Sequence, residues 1–131
     1  MKREKYLVTS ALPYANGHLH IGHVAGAYLP ADIFVRFQKL LGNDVIYICG
    51  TDEYGAPISI KAEAEGKTPR EIVDHYHDSI VKSFHDLEID FDNFSGTARP
   101  EHTRISQKFF LNLLNAGYVL QKNNSAALLR A

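Results

Sequence analysis

In the first half of the chain, the spacing of hydrophobic residues changes from a strand pattern to a helix pattern and back to a strand pattern. Residues 6–9 are a short run of strand formers, followed by a loop at residues 10–17. From about Gly22 the spacing becomes helical, until Gly42 and Asn43 end it. The apolar positions predicted to share one face of this helix are Ile33, Phe37, Leu40 and Leu41. Residues 45–49 are then almost continuously apolar, which is typical of a strand covered on both faces.

Pro30 falls inside the helical pattern of the first half. Proline lacks a backbone N–H, and its ring crowds the carbonyl four residues earlier. We therefore expect a kink or bulge between Ala27 and Ala31.

The second half of the chain is predicted to be mainly helical. A short helix at residues 58–65 ends at Gly66, and a second begins at Thr68, where Glu71 completes a capping box. The second helix carries an apolar stripe at helical spacing, formed by Ile72, Tyr76, Ile80, Phe84 and Leu87. Residues 90–94 are predicted to be a loop, followed by a helix from about Pro100 that stops at Gly117. Residues 118–120 favour the start of a strand.

This order of elements indicates an α/β fold with a Rossmann-like, doubly wound parallel sheet. Ligands of such sheets bind beyond the carboxyl ends of the strands. Both glycine-containing loops, residues 10–23 and 50–57, follow predicted strands, so we expect them to meet at one crevice. We assign residues 1–122 to one partial nucleotide-binding catalytic domain, and residues 123–131 to a truncated element or an added tail.

Composition narrows the function classes. The 131 residues include 14 Lys and Arg against 15 Asp and Glu, so the chain lacks the basic excess that holds nucleic acid through phosphates alone. A single cysteine, Cys49, excludes an internal disulfide and a Cys-x-x-Cys metal site, and fits a reducing cytoplasm. No apolar run reaches the length of a membrane span. We expect a cytoplasmic protein without membrane or DNA partners.

The loop at residues 11–23 ends where a helix begins, and helix amino termini favour phosphate groups. His20 and His23 are three residues apart and can direct donors to one side, while Gly22 leaves room for a flat purine. Fixed donors of this kind stabilise a negatively charged transition state at phosphorus. Two alternatives stay open: solvated turn histidines, and a metal site formed by His18, His20 and His23.

Residues 11–23 resemble the first signature of class I aminoacyl-tRNA synthetases, and residues 50–55, Gly-Thr-Asp-Glu-Tyr-Gly, are similar to a stretch of their methionyl group. The resemblance implies that His20 and His23 bind the phosphates of ATP and stabilise the transition state of amino-acid activation. It also implies ATP contacts by Asn16, Gly17 and Gly22. In the same way, it implies a methionine pocket formed by Leu12, Tyr14 and Asp52, the last of which holds the substrate ammonium. Magnesium is expected to accompany the ATP.

The resemblance also implies which substrates the complete enzyme uses and which parts of that enzyme these residues do not contain. Methionine, ATP and tRNA would be the substrates of the complete enzyme, whose two steps are adenylate formation and transfer to tRNA. The family's second signature, its zinc-binding insertion and its anticodon-reading domain are not found in these residues. We therefore expect zinc in the complete family but not in this chain, and little activity from the chain alone. Tyr54 replaces the histidine that is usual for the methionyl group.

Three other functions remain open from sequence. Isoleucyl or cysteinyl synthetases share the first signature and differ in the pocket. An adenylyltransferase can use His-x-Gly-His on a similar sheet without tRNA, and a noncatalytic binding module could retain the fold. His75 and His77 are two residues apart on a predicted helix, so they are expected to face different ways.

Overall fold

A computed structural model of the chain describes residues 3–122. The chain divides into two compact units, Met1–Arg99 and Pro100–Ala131. The expectation of a tail at residues 123–131 lies outside the described residues. None of the helices within the described range is long and apolar enough to cross a membrane.

A three-stranded parallel sheet forms the centre of the first unit. Its strands are β1 (Lys5–Thr9), β2 (Asp44–Thr51) and β3 (Asn93–Gly96), and they lie in the order β1-β2-β3. Leu7 pairs with Ile46, and Ile48 pairs with Asn93. The predicted α/β fold with a parallel sheet is confirmed.

Strand β3 corrects the sequence prediction, which left residues 90–94 as a loop. Three of its four residues, Asn93, Ser95 and Gly96, are weak strand formers, so the strand gives little local signal. The strand forms because of its neighbour: the Asp92 N–H donates to the carbonyl of Tyr47, and the Asp92 carboxylate accepts from the Tyr47 N–H, at 2.8 and 2.7 Å. These two bonds fix the register at which β3 enters the sheet.

The connection between β1 and β2 is one helical path with a wide turn in it. Helix α1 (Ile21–His23) continues into a π-helical turn (Val24–Tyr28) and then into α2 (Leu29–Leu40). The expected bulge is present, but it precedes Pro30 instead of enclosing it. In the π turn the Leu29 N–H donates to the carbonyl of Val24, so Pro30, at the start of α2, removes a donor where α2 begins.

The buried face of α2 is not the predicted one. Ile33, Phe37 and Leu40 are 59, 54 and 85% exposed, and Leu41 is also exposed. The buried side chains of α2 are Asp32 and Val35 instead. Asp32 tolerates burial because Arg36 donates to it at 2.6 Å. The π turn adds a residue before α2, which rotates the helix relative to a regular α-helical path.

Two helices connect β2 to β3. They are α3 (Ala56–Glu65) and α4 (Pro69–Asp86). The capping box at the start of α4 is confirmed, because the Thr68 hydroxyl accepts from the Glu71 N–H and the Glu71 carboxylate accepts from the Thr68 N–H. Four of the five predicted stripe residues are buried, and only Leu87, which follows the helix, is half exposed.

The buried side chains of the first unit form two clusters. One joins the sheet to α4 through Tyr47, Ile80 and Phe84. The other places Ala15, from the loop after β1, against Ile58 of α3 and Ile72 of α4. Through the second cluster the loop after β1 is fixed to both helices.

The second unit contains α5 (Pro100–Asn115), as predicted, followed by Gly117 at a φ of +78°. That conformation suits glycine, which has no Cβ to clash, and it agrees with the predicted helix stop. Residues 118–120 are not a strand, so that prediction was wrong. No side chain of α5 is buried.

Candidate active site

The two histidines at the start of α1 cap the helix together. His20 Nδ1 accepts from the Gly22 N–H at 3.1 Å, and His23 Nδ1 accepts from the His20 N–H at 3.3 Å. Their rings stack with centroids 3.7 Å apart and planes 24° apart. Since a ring nitrogen that accepts carries no hydrogen, the network assigns the hydrogen of each neutral ring to Nε2. The pair therefore offers two Nε2–H donors from adjacent, exposed rings.

The capping by the two histidines changes the physical reason for two predictions, the one about the donors to phosphate and the one about Gly22. We expected unpaired backbone N–H groups to favour phosphate, but the N–H groups of His20 and Gly22 are already bonded to ring nitrogens. The exposed ring Nε2–H groups are the donors that this pair of histidines still offers. A Cβ at Gly22 would lie 3.0 Å from Cε1 of His20, so glycine here also leaves space for the capping ring.

Tyr14 and Asp52 lie side by side, although they are far apart in sequence. They form an isolated parallel bridge in which the Asp52 N–H donates to the carbonyl of Pro13 at 2.8 Å and the Ala15 N–H donates to the carbonyl of Asp52 at 2.9 Å. The loop after β1 thus runs along the carboxyl end of β2. The two loops therefore meet, as expected, but the cavity along the first loop includes no residue of 50–57, so a shared crevice remains a prediction.

Several contacts hold the loop after β1 in place. Lys61 Nζ donates to the carbonyl of Asn16 at 3.0 Å and lies over the ring of Tyr76. His18 Nδ1 and Ser79 Oγ are 2.7 Å apart. The hydroxyl of Tyr28 donates to the carbonyl of Ala11 at 2.9 Å, and burial raises the pKa of Tyr28 to about 12. The phenol therefore stays protonated and keeps this bond at any physiological pH.

A cavity of about 180 Å³ lies along this loop, and its lining includes Tyr14, Asn16, Gly17 and His23. Four of the predicted site residues therefore share one cavity. His20 lines a separate depression together with Leu19 and Val24. Leu12 is 48% exposed and lies two residues before Tyr14, beyond the buried Pro13. A cavity of about 300 Å³ near Tyr54 and Arg70 includes none of the predicted site residues.

The sequence reasoning missed a buried polar network beside Asp52. The Glu53 side chain is fully buried and accepts from Arg99 at 2.9 Å and from the hydroxyl of Thr51 at 2.9 Å. His77 Nδ1 lies 2.8 Å from the same hydroxyl. Because the Thr51 hydroxyl donates its hydrogen to Glu53, its oxygen accepts a hydrogen bond from His77 Nδ1–H. Burial, and next the charge of Arg99, lower the pKa of His77, although Glu53 opposes the shift. The only signal for this network in the sequence was the position of Glu53 next to Asp52.

His75 and His77 face different ways, as predicted: the ring of His75 contacts His18 and Tyr76, whereas His77 faces Thr51. Among residues 3–122 no group of three His, Cys, Asp or Glu side chains could hold a metal ion. In particular, the Nδ1 atoms of His20 and His23 are occupied by backbone donors.

The family of class I (M) tRNA synthetases matches residues 6–129. The chain belongs to this family. It is 55% identical to the methionine–tRNA ligase of Rubrobacter xylanophilus over 90% of this chain, and 55% identical to that of Thermoplasma volcanium over 94%. It spans only 20 and 22% of those two ligases, so it corresponds to about a fifth of their length.

Two solved structures share the fold. One is the Mycobacterium tuberculosis methionyl-tRNA synthetase in complex with methionyl-adenylate, with a TM-score of 0.82 and 31% identity over 87% of this chain and 22% of that one. The other is an Agrobacterium radiobacter leucyl enzyme in a ternary complex with tRNA, with a TM-score of 0.82 and 32% identity over 89% of this chain and 15% of that one. The fold alone therefore does not distinguish methionine from leucine.

Proposed function

We propose that this chain supplies the methionine-binding and ATP-binding loops of a methionine–tRNA ligase. The backbone bridge between Tyr14 and Asp52 is the observation that carries the proposal, because it places an aromatic residue and an acidic residue side by side at the carboxyl end of β2. An aromatic wall suits the thioether of methionine, and a carboxylate suits its ammonium. Leu12, on the same loop, would complete the apolar wall.

In the proposed first step, the carboxylate of methionine attacks the α-phosphate of ATP and releases pyrophosphate. His20 and His23 stabilise the charge that builds up on the phosphate oxygens, through their Nε2–H donors. Asn16, Gly17 and Gly22 contact the nucleotide. The adenylate is then transferred to tRNA in the complete ligase. The histidines act by position and charge, without a covalent intermediate.

Metal ions enter this proposal through the substrate. The first turn at His20 contains no acidic residue that could bind a cation, so Mg²⁺ would be held by the oxygens of ATP. The donor sets within residues 3–122 do not fit zinc. We place the activity in the cytoplasm, in line with a single reduced cysteine.

The 131-residue chain by itself is proposed to have little or no activity, since its curated relatives are about five times as long. The test uses a hybrid ligase in which residues 1–122 replace the aligned segment of the Thermoplasma volcanium ligase. Exchange of labelled pyrophosphate into ATP is measured with methionine, leucine, isoleucine and cysteine in turn. Exchange with methionine alone is expected.

The two histidines are tested in the same hybrid. Replacing both by asparagine is expected to lower the exchange rate by about 1000-fold, as for the loss of preorganised transition-state donors. His85→Asn is the matched control, because His85 is exposed at the end of α4 and its substitution should leave the rate unchanged. Exchange with a different amino acid would overturn the pocket assignment, and an unchanged rate in the double variant would overturn the role of the histidines.

A further inference from the structure

Glu53 occupies an unusual position for a carboxylate. Its side chain has no solvent exposure, yet both of its carboxylate oxygens accept hydrogen bonds from other residues. Oε2 accepts from the Ala98 N–H at 2.8 Å, while Oε1 accepts from Arg99 and from Thr51. Burying a carboxylate is costly because the charge loses its water, and the hydrogen-bond partners of Glu53 offset that cost. We therefore looked for a role of this carboxylate besides stabilising the fold.

The partners of Glu53 come from three separate elements. Thr51 ends β2, Ala98 and Arg99 follow β3, and His77 of α4 lies 3.6 Å from Oε1. The Glu53 N–H also donates to the hydroxyl of Thr97 at 2.8 Å. The carboxyl ends of β2 and β3 are thus tied together at one residue.

Gly96 shows how closely this tie is built. A Cβ at Gly96 would collide with the carboxylate of Glu53. The last residue of β3 is therefore held directly against that carboxylate, with no side chain between them.

Asp52 lies between two residues of this network. Thr51 and Glu53 direct their side chains into the buried network, so the alternation of an extended chain leaves Asp52 on the opposite side, where it is partly exposed. The backbone of Asp52 is bonded to Pro13 and Ala15, the neighbours of Tyr14. Glu53 is therefore the direct neighbour of the residue whose backbone holds the loop that carries Tyr14.

We propose that Glu53 is a positioning residue for the amino-acid pocket, which acts by tying the ends of β2 and β3 together and thereby fixing the Asp52–Tyr14 bridge. The proposal rests on the proposed function for the role of that pocket. Glu53 does not contact the substrate: it determines the place of the carboxylate that does. Arg99 and Thr51 act with it.

The tie is tested first on this chain, without any ligand. In Glu53→Gln, amide hydrogen exchange at Asp52 and Ala15 is expected to become about tenfold faster, because these two bonds open locally, while exchange in β1 changes less. Val35→Ala is the control, since it opens a cavity in the other buried cluster, which contains neither Ala15 nor Asp52. Equal acceleration at all amides in both variants would overturn the tie.

The second measurement uses steady-state kinetics of the hybrid ligase. In Glu53→Gln the KM for methionine is expected to rise about tenfold while the KM for ATP stays within about twofold, since only the amino-acid pocket is displaced. Val35→Ala should change neither KM. A fall in kcat with both KM values unchanged would overturn the positioning role. If the unsubstituted hybrid showed no methionine-dependent exchange, the proposed function would fail, and hydrogen exchange would still decide whether Glu53 ties the two strands.

Discussion

The two loops that form the candidate site are held in different ways. In the first, His20 and His23 are fixed by hydrogen bonds that span only two and three residues. In the second, Glu53 is fixed by bonds to Ala98 and Arg99, 45 and 46 residues further along the chain. The first arrangement is local and exposed, whereas the second is long-range and buried. The residues proposed to contact the substrates thus lie in short motifs, and the placement of the second loop depends on residues far along the chain.

The largest change in the free energy of unfolding is expected when Arg99, the distant partner of Glu53 in the second loop, is replaced. Arg99→Gln leaves the fully buried Glu53 carboxylate without its counter-charge, which should lower the free energy of unfolding by about 3 kcal/mol. Urea unfolding of this chain measures it. Arg70→Gln is the matched control, because Arg70 and Asp74 are both exposed and their pair should contribute less than about 1 kcal/mol. Adding Glu53→Gln to Arg99→Gln should restore part of the loss; a further loss would contradict this account.

Two glycine substitutions, one beside each loop, are expected to change the free energy of unfolding in opposite directions. A Cβ at Gly50 would lie 2.8 Å from the backbone oxygen of Ser95, so Gly50→Ala should force β2 and β3 apart and cost about 2 kcal/mol. A Cβ at Gly26, in the π turn behind the first loop, would meet nothing within 4 Å. Gly26→Ala should therefore stabilise the chain by about 0.5 kcal/mol through its better helix propensity. Thermal unfolding of both variants is the measurement, and a change of the same sign in both would contradict the difference.

The smallest effect concerns pH and again belongs to the second loop. Burial and Arg99 lower the pKa of His77 from its usual 6.5 in the folded chain, so the unfolded chain takes up the proton at higher pH. The free energy of unfolding should therefore be highest above pH 6.5 and fall as the pH drops through that value towards the folded pKa. Urea titrations between about pH 7.5 and 5 should show a shallower slope for His77→Gln. Identical slopes would exclude this contribution.

Sequence patterns predicted what depends on neighbours along the chain. The capping box of Thr68, the helix stop at Gly117 and the parallel α/β order all follow from local chemistry, and the structure confirms them. The predicted ATP and methionine contacts remain predictions, although four of those residues line one cavity.

The predictions that failed depended on tertiary context. Strand β3 forms because Asp92 bonds to Tyr47, and no spacing rule anticipates that. The inward face of α2 is set by the wide turn before it and by the Arg36 partner of Asp32, against the stronger apolar spacing of Ile33 and Phe37. Arg99 had no signal at all, since a single arginine after a turn is ordinary in sequence.

The order of the strands has a consequence for how the chain folds during synthesis. Strands β1, β2 and β3 lie in the sheet in the order in which a ribosome would produce them. We therefore expect each new strand to find its hydrogen-bonding neighbour already synthesised, so that the sheet can grow in one direction. The last strand to arrive brings Ala98 and Arg99 with it, so the Glu53 carboxylate receives its partners only when the sheet of this unit is complete.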